Sequence, residues 1–176
     1  MKKNIKALLF IIIVIIVAYL GYHIVQTSQN KKMYGEKIAH IPNFLLKNLQ
    51  GENFTNDDLT KNVMIMFLYF NSDCDYCKAE TEEIVSNIKN LKSFQIIFVS
   101  NESILQIVAF QQKYKLDNYN NISVLCDYNN KFAELFELKS IPTSFIYDKK
   151  GVLLNKNDGP IKVDYLLKNI KQMGSN

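Results

Sequence analysis

Asn71-Ser72-Asp73-Cys74-Asp75-Tyr76-Cys77-Lys78-Ala79-Glu80 is the stretch on which the fold and the chemistry of this chain turn. Residues 63–70 precede it, eight apolar or aromatic side chains in a row. That run is too short for a typical helix and suits a central strand buried on both faces. From Cys74 to Lys92 there is no Gly or Pro, and Ile84, Ile88 and Leu91 recur at i, i+4 and i+7 with Val85 alongside, which predicts a helix. The cysteines therefore fall where a buried strand gives way to a helix. Two cysteines three apart on a first helical turn share a face, near enough to form a disulfide while rigid elements hold both. The helix N-terminus stabilises a thiolate through its partial positive charge and unpaired N–H groups. Cys74, nearer the end, is expected to be the exposed nucleophile, and Cys77, one turn in, the buried resolving thiol.

The same spacing occurs in half a zinc site and in a structural disulfide, and both readings stay open beside redox chemistry. Zinc would need two more ligands from His23, His40 and Cys126, none of them paired in sequence, so no metal is expected. Cys126, the third cysteine, follows the short apolar run 122–125. It reads as a small buried hydrophobe; the rival is a third redox thiol that pairs with Cys74.

Working outward, Pro42 opens residues 44–49, and Gly51 with Asn53 supplies turn chemistry before Phe54 and Thr55, which predicts a β-hairpin. Residues 94–99 read as a second strand, and 122–125 as a third, short one. Between them Ile104, Ile107 and Val108 trace a helix face. Phe132, Leu135 and Phe136 mark another helix. Residues 144–147 and 152–154 flank Asp148-Lys149-Lys150-Gly151, a hairpin signal. Val163, Leu166, Leu167 and Ile170 stripe a last helix. Strands alternating with helices and closing in an antiparallel hairpin predict an α/β sandwich with a mixed sheet. Pro142, within Ile141-Pro142-Thr143, cannot serve a central ladder and fits a cis bond at a strand's entry.

With 176 residues, 48% hydrophobic and 22% charged, 6 Gly and 3 Pro, the chain fits one folded domain and not a disordered, collagenous or low-complexity protein. The net charge of +4 belongs mainly to Lys2, Lys3 and Lys6; the rest is within one charge of neutrality. With no Arg anywhere, a nucleic-acid partner is not expected. Residues 7–20 are uninterrupted apolar, and 7–25 would reach roughly 28 Å as a helix, close to a bilayer's hydrocarbon thickness. The expected organisation is an uncleaved membrane anchor at 1–25, a polar tether at 26–36 and a globular domain at 37–176, facing the periplasm or cell exterior by the positive-inside rule. A cleaved signal would need a small-x-small site, and none stands out between Ala18 and Gln29; a buried soluble helix is the third reading.

Cys74, the 141–143 segment and the order of strands together resemble the thioredoxin superfamily. More narrowly the chain is similar to membrane-anchored thiol-disulfide oxidoreductases of the TlpA and ResA type, within the redoxin family. That resemblance runs from about Ile41 to Ile170. It implies a three-layer thioredoxin-like sandwich with a central mixed sheet, an N-terminal β-hairpin and an αβ insertion around residues 101–127. It also implies catalytic roles for Cys74, Cys77 and Glu80, the last helping proton transfers; its plainer alternative is a solvated helix carboxylate. Ile141, Pro142 and Thr143 would bind an extended substrate segment beside the thiols. No cofactor is implied beyond a Cys74–Cys77 disulfide. The implied partners are disulfide-bearing exported proteins or apocytochrome c, and a membrane-embedded thiol donor of electrons.

Departures from that family bear on redox potential. Where it usually has Trp before the first cysteine and Pro before the second, this chain has Asp73 and Tyr76. A carboxylate about 6 Å from the Cys74 sulfur would move the dithiol's potential by roughly 15 to 60 mV toward the reducing side, unless Lys78 or the helix dipole offsets it. Asp73 and Asp75 both flank Cys74, so a reductase is expected. Two alternatives remain: a thiol peroxidase of related fold, which would have Thr at Asn71 and an activating Arg, and an interaction module whose cysteines do not turn over.

Overall fold

The computed structural model describes the backbone of residues 2–173, and the side chains of 13–170 other than 28 and 30–32. The chain divides into two units, Met1–Ala39 and His40–Asn176. Helix α1 (Lys2–Ile38) makes up the first. Residues 26–36, expected to be a polar tether, are helical; they contain no Pro and a single Gly, and polarity alone does not stop a helix. Among the described residues, no helix is long and apolar enough to cross a membrane. The expected anchor lies partly outside the residues whose side chains are described.

The second unit is built on one seven-stranded sheet of order β2-β1-β5-β4-β3-β6-β7. Its strands are β1 (Leu45–Asn48), β2 (Asn53–Thr55), β3 (Met64–Tyr69), β4 (Phe94–Ser100), β5 (Ile122–Cys126), β6 (Thr143–Tyr147) and β7 (Leu153–Asp158). β3, β4 and β5 run parallel, and the remaining pairings are antiparallel. The expected N-terminal hairpin is β1–β2, turned by Gly51 at φ +85°, while Asn48 Oδ1 accepts from the N–H groups of Gln50 and Glu52.

Helices α2 (Asp75–Ser86), α3 (Ile104–Tyr114), α4 (Lys131–Leu135) and α5 (Val163–Met173) complete the sandwich. Alternation along the strands assigns them to layers. Met66, Leu68, Ile96, Phe98 and Ile146 share one apolar cluster with Ile84 of α2, Ile107 and Phe110 of α3, and Val163 and Leu166 of α5. Phe67, Tyr69, Phe145 and Tyr147 belong to an aromatic cluster on the other face, with Phe44, Phe132 and Phe136. Each such ring, fully buried, contributes about 1.5–3 kcal/mol. A three-layer thioredoxin-like sandwich is thereby established.

The predicted helix through Lys92 is shorter than its composition allowed. α2 stops at Ser86, and a 3₁₀ turn follows over Ile88–Leu91. Asn87 Nδ2 donates to Glu83 O at 2.9 Å, so its side chain competes for a helical carbonyl. Two registers position the site. Tyr69 of β3 pairs with Thr143 of β6, which brings the loop before Thr143 to the C-terminal end of β3. Tyr69 also pairs with Val99 of β4, and the Phe70 N–H donates to Val99 O at 2.9 Å, carrying the ladder into the turn that precedes α2.

Candidate active site

Cys74 is the N-cap of α2. Its backbone is extended, and its Sγ accepts from the Cys77 N–H at 3.4 Å, so the sulfur takes the place a Ser or Asp oxygen commonly fills. An anionic sulfur there would face the helix dipole's positive end. Cys74, expected to be exposed, is half-buried, and Cys77 is fully buried. Burial pushes the Cys77 thiol far up; a bond with the Asn71 backbone opposes this, and Cys74 and Glu80 add to it. From the other chain segment, Ile141 O lies 3.9 Å from Cys74 Sγ, within range of the thiol as donor.

The Ile141–Pro142 bond is cis. Pro142 is buried and its carbonyl accepts from the Gly159 N–H at 2.9 Å, whereas Ile141 is exposed. Thr143 departs from its expected place on the substrate surface. It lies in β6 with no exposure, its Oγ1 2.7 Å from Ser140 O and 3.3 Å from Asp158 Oδ1. Ladder pairing with both β3 and β7 turns it inward, so it holds the loop and leaves Ile141 as the exposed member of the trio.

Glu80 is no solvated helix carboxylate. It is 1% exposed, Oε1 accepts from the Ile161 N–H at 3.0 Å, and Oε2 has no hydrogen-bond partner among the described residues. Burial, opposed by the Ile161 bond, raises its pKa to about 8. A carboxyl so placed is mostly protonated at neutral pH; when ionised, its charge pushes the Cys77 thiol further up.

The two aspartates divide. Lys78 Nζ donates to Asp75 Oδ1 at 3.0 Å and to Asp73 O at 3.1 Å. Asp75 is thus paired, which meets the condition under which its effect on Cys74 is offset; the expected pair of charges reduces to one net negative charge on the turn. Asp73 is exposed, and so is Tyr76, at 68%, presenting an aromatic surface between the cysteines. Cys126 is buried at the end of β5, its Sγ 3.7 Å from Glu102 O. Among the described residues, no three His, Cys, Asp or Glu side chains form a group that could hold a metal ion.

Sequence reasoning missed Glu102. Its Oε2 accepts from Ser72 N and its Oε1 from Ser72 Oγ, both at 2.7 Å. The available signal was the pairing of adjacent strands: Tyr69 opposite Val99 carries the same offset of thirty residues on to Ser72 and Glu102.

A sequence model of the AhpC/TSA family matches residues 39–156. The chain belongs to that family. It is 28% identical over 153 residues to the thioredoxin-like protein YneN of Bacillus subtilis, covering 84% of this chain and 86% of YneN. To the thiol-disulfide oxidoreductase ResA of Bacillus cereus it is 27% identical over 162 residues, covering 89% of each chain. Among solved structures, a putative thioredoxin from Neisseria meningitidis superposes with a TM-score of 0.64 at 24% identity, over 77% of this chain and 89% of that one, a likeness of fold. With these relatives and this fold, the AhpC/TSA member described here is a thiol-disulfide oxidoreductase.

Proposed function

We propose that this thiol-disulfide oxidoreductase is a reductase that works outside the cytoplasm, held to the membrane by its N-terminal segment, on disulfides of exported proteins, apocytochrome c among them. The observation that carries the reading is the asymmetry of the dithiol: a half-buried Cys74 at a helix N-cap, backed by a fully buried Cys77 beside an under-bonded Glu80.

The Cys74 thiolate attacks one sulfur of a substrate disulfide. A mixed disulfide forms, and the other substrate sulfur leaves as a thiolate. Glu80, when ionised, takes the Cys77 proton, and the Cys77 thiolate attacks Cys74 Sγ. The second substrate thiolate departs, two electrons have passed to the substrate, and a Cys74–Cys77 disulfide remains. A membrane-embedded dithiol carrier returns the enzyme to its reduced form, becoming a disulfide itself. Ile141, exposed beside Cys74, would offer its backbone to an extended substrate segment.

The reducing direction is supported by Asp73, an exposed carboxylate on the turn beside the dithiol whose charge Lys78, bound to the Asp75 carboxylate, leaves in place and which is set against the positive end of α2. Equilibration with glutathione tests it: a potential near about −120 mV, the oxidising extreme for Cys-x-x-Cys proteins, overturns the reductase reading. Trapping on the Cys77→Ser variant, which stalls at the mixed disulfide, is expected to capture exported proteins; capture of none in cells counts against a specific protein substrate. Hydrogen peroxide turnover is expected to be absent, since Asn71 occupies the peroxidase Thr position and no Arg is available.

A further inference from the structure

The nucleophile sits at the end of a four-residue turn, and what holds that turn decides where its sulfur points. Within the turn, Asp73 N–H donates to Asn71 Oδ1 at 2.9 Å and Cys74 N–H to Asn71 O at 3.2 Å. These bonds shape the turn without tying it to the sheet. Glu102, just past the end of β4, supplies that tie. Its two oxygens take the backbone N–H and the hydroxyl of Ser72, each at 2.7 Å. Such short bonds to an ionised acceptor are the strong kind, and a two-point grip fixes orientation as well as distance.

Glu102 is itself braced on two sides. Oε2 also accepts from Ser100 Oγ at 3.1 Å, and Oε1 from Gln106 Nε2 at 3.3 Å. Ser100 is fully buried, and Gln106 closes the capping box of α3 with Ser103. Four donors fill the four lone-pair directions of one carboxylate. The turn before Cys74 is therefore pinned at once to β4 and to the first turn of α3.

We infer that Glu102 is a positioning residue for the thiol-disulfide reaction: by clamping Ser72 it holds Cys74 at the N-cap of α2, with Sγ on the Cys77 N–H. The inference rests on Cys74 being the nucleophile, as proposed above. Loosening the clamp costs the sulfur its alignment with that N–H and with the helix end, so its thiolate forms less readily. A merely electrostatic Glu102 would act with the opposite sign, because deleting a nearby negative charge favours a thiolate.

Iodoacetamide alkylation of the reduced full chain, followed from about pH 5 to 9 with the modified cysteine identified by mass spectrometry, separates these. Glu102→Ala is expected to slow alkylation of Cys74 at neutral pH by about tenfold, the factor that accompanies one unit of thiol acidity, and to move the profile to higher pH. Glu102→Gln, which keeps one of the two acceptors, falls between, and Ser72→Ala, which keeps the backbone bond, gives a smaller shift of the same sign. Asn121→Ala serves as a stability control, since Asn121 Nδ2 donates to Leu91 O and Phe94 O away from the turn; it is expected to lower the melting temperature and leave the profile in place. An unchanged or lowered profile in both Glu102→Ala and Ser72→Ala overturns the positioning role while leaving Cys74 as nucleophile. First alkylation at Cys77 in the parent overturns the nucleophile assignment and this inference with it.

Discussion

Cys77 and Cys126 occupy the same apolar core, both as buried free thiols and both pushed up by burial, yet their surroundings differ in kind. Cys77 has a second sulfur on its own N–H and a buried carboxyl with a free oxygen nearby. Cys126 has the backbone carbonyl of Glu102 and the side chain of Tyr128. Burial alone makes a thiol inert. The proposed chemistry needs a second sulfur and a proton acceptor near the buried thiol, and of these two cysteines only Cys77 has both, at the first turns of α2.

The largest expected contrast is catalytic. Cys74→Ser should abolish disulfide reduction, a loss of about a thousandfold or more, while Cys126→Ser stays within about twofold of the parent. A comparable loss in Cys126→Ser, or a Cys74–Cys126 bridge in the mass spectrum of the oxidised protein, would break the distinction.

Next comes the proton. In the proposed mechanism ionised Glu80 accepts it from Cys77, so resolution of a mixed disulfide should quicken as the pH rises through about 8 in the parent. Glu80→Gln should lose that rise and be about tenfold or more slower at the alkaline end, measured by stopped-flow release of a substrate thiol. Stability carries the same signature. Because the folded pKa lies above the ordinary carboxylate range, folded protein retains a proton that unfolded chain releases; the stabilisation is full in acid and is lost as the pH rises toward about 8. Urea titrations of Glu80→Gln should lack that slope.

Cys126→Ser should instead be felt in folding, by about 1–3 kcal/mol, since it exchanges a buried sulfur in the apolar core for a shorter, more polar hydroxyl held away from Glu102 O; urea midpoints measure this. The smallest effect belongs to Lys78→Met. It frees Asp75 on an exposed turn, and the glutathione equilibrium should move toward the reducing side by an amount that salt diminishes.

Much of this molecule was legible in its sequence because the signals are local. Eight apolar residues before the cysteines announced β3, and the apolar stripes announced each helix of the second unit. The i, i+3 spacing placed Cys74 outside and Cys77 inside. Pro142 announced its cis bond through a strand entry that could spare an N–H. The misreading of the helix through Lys92 has a local cause too: Asn87, whose side chain bonds a carbonyl of the last turn, caps α2 where composition alone allowed it to run on.

What chain-local patterns could not reach is which distant segment covers a side chain. Glu80 is an ordinary helix carboxylate until the Gly159–Ile161 segment, some eighty residues on, folds over it and supplies one N–H to two oxygens. Thr143 becomes inaccessible through strands on both sides. Glu102 meets Ser72 through the register of two parallel strands. Amino-acid order by itself determined the elements and the dithiol, since periodicity and spacing act within a few residues. Tertiary structure alone decided the electrostatics around that dithiol, because desolvation and hydrogen bonding depend on neighbours brought together from far along the chain.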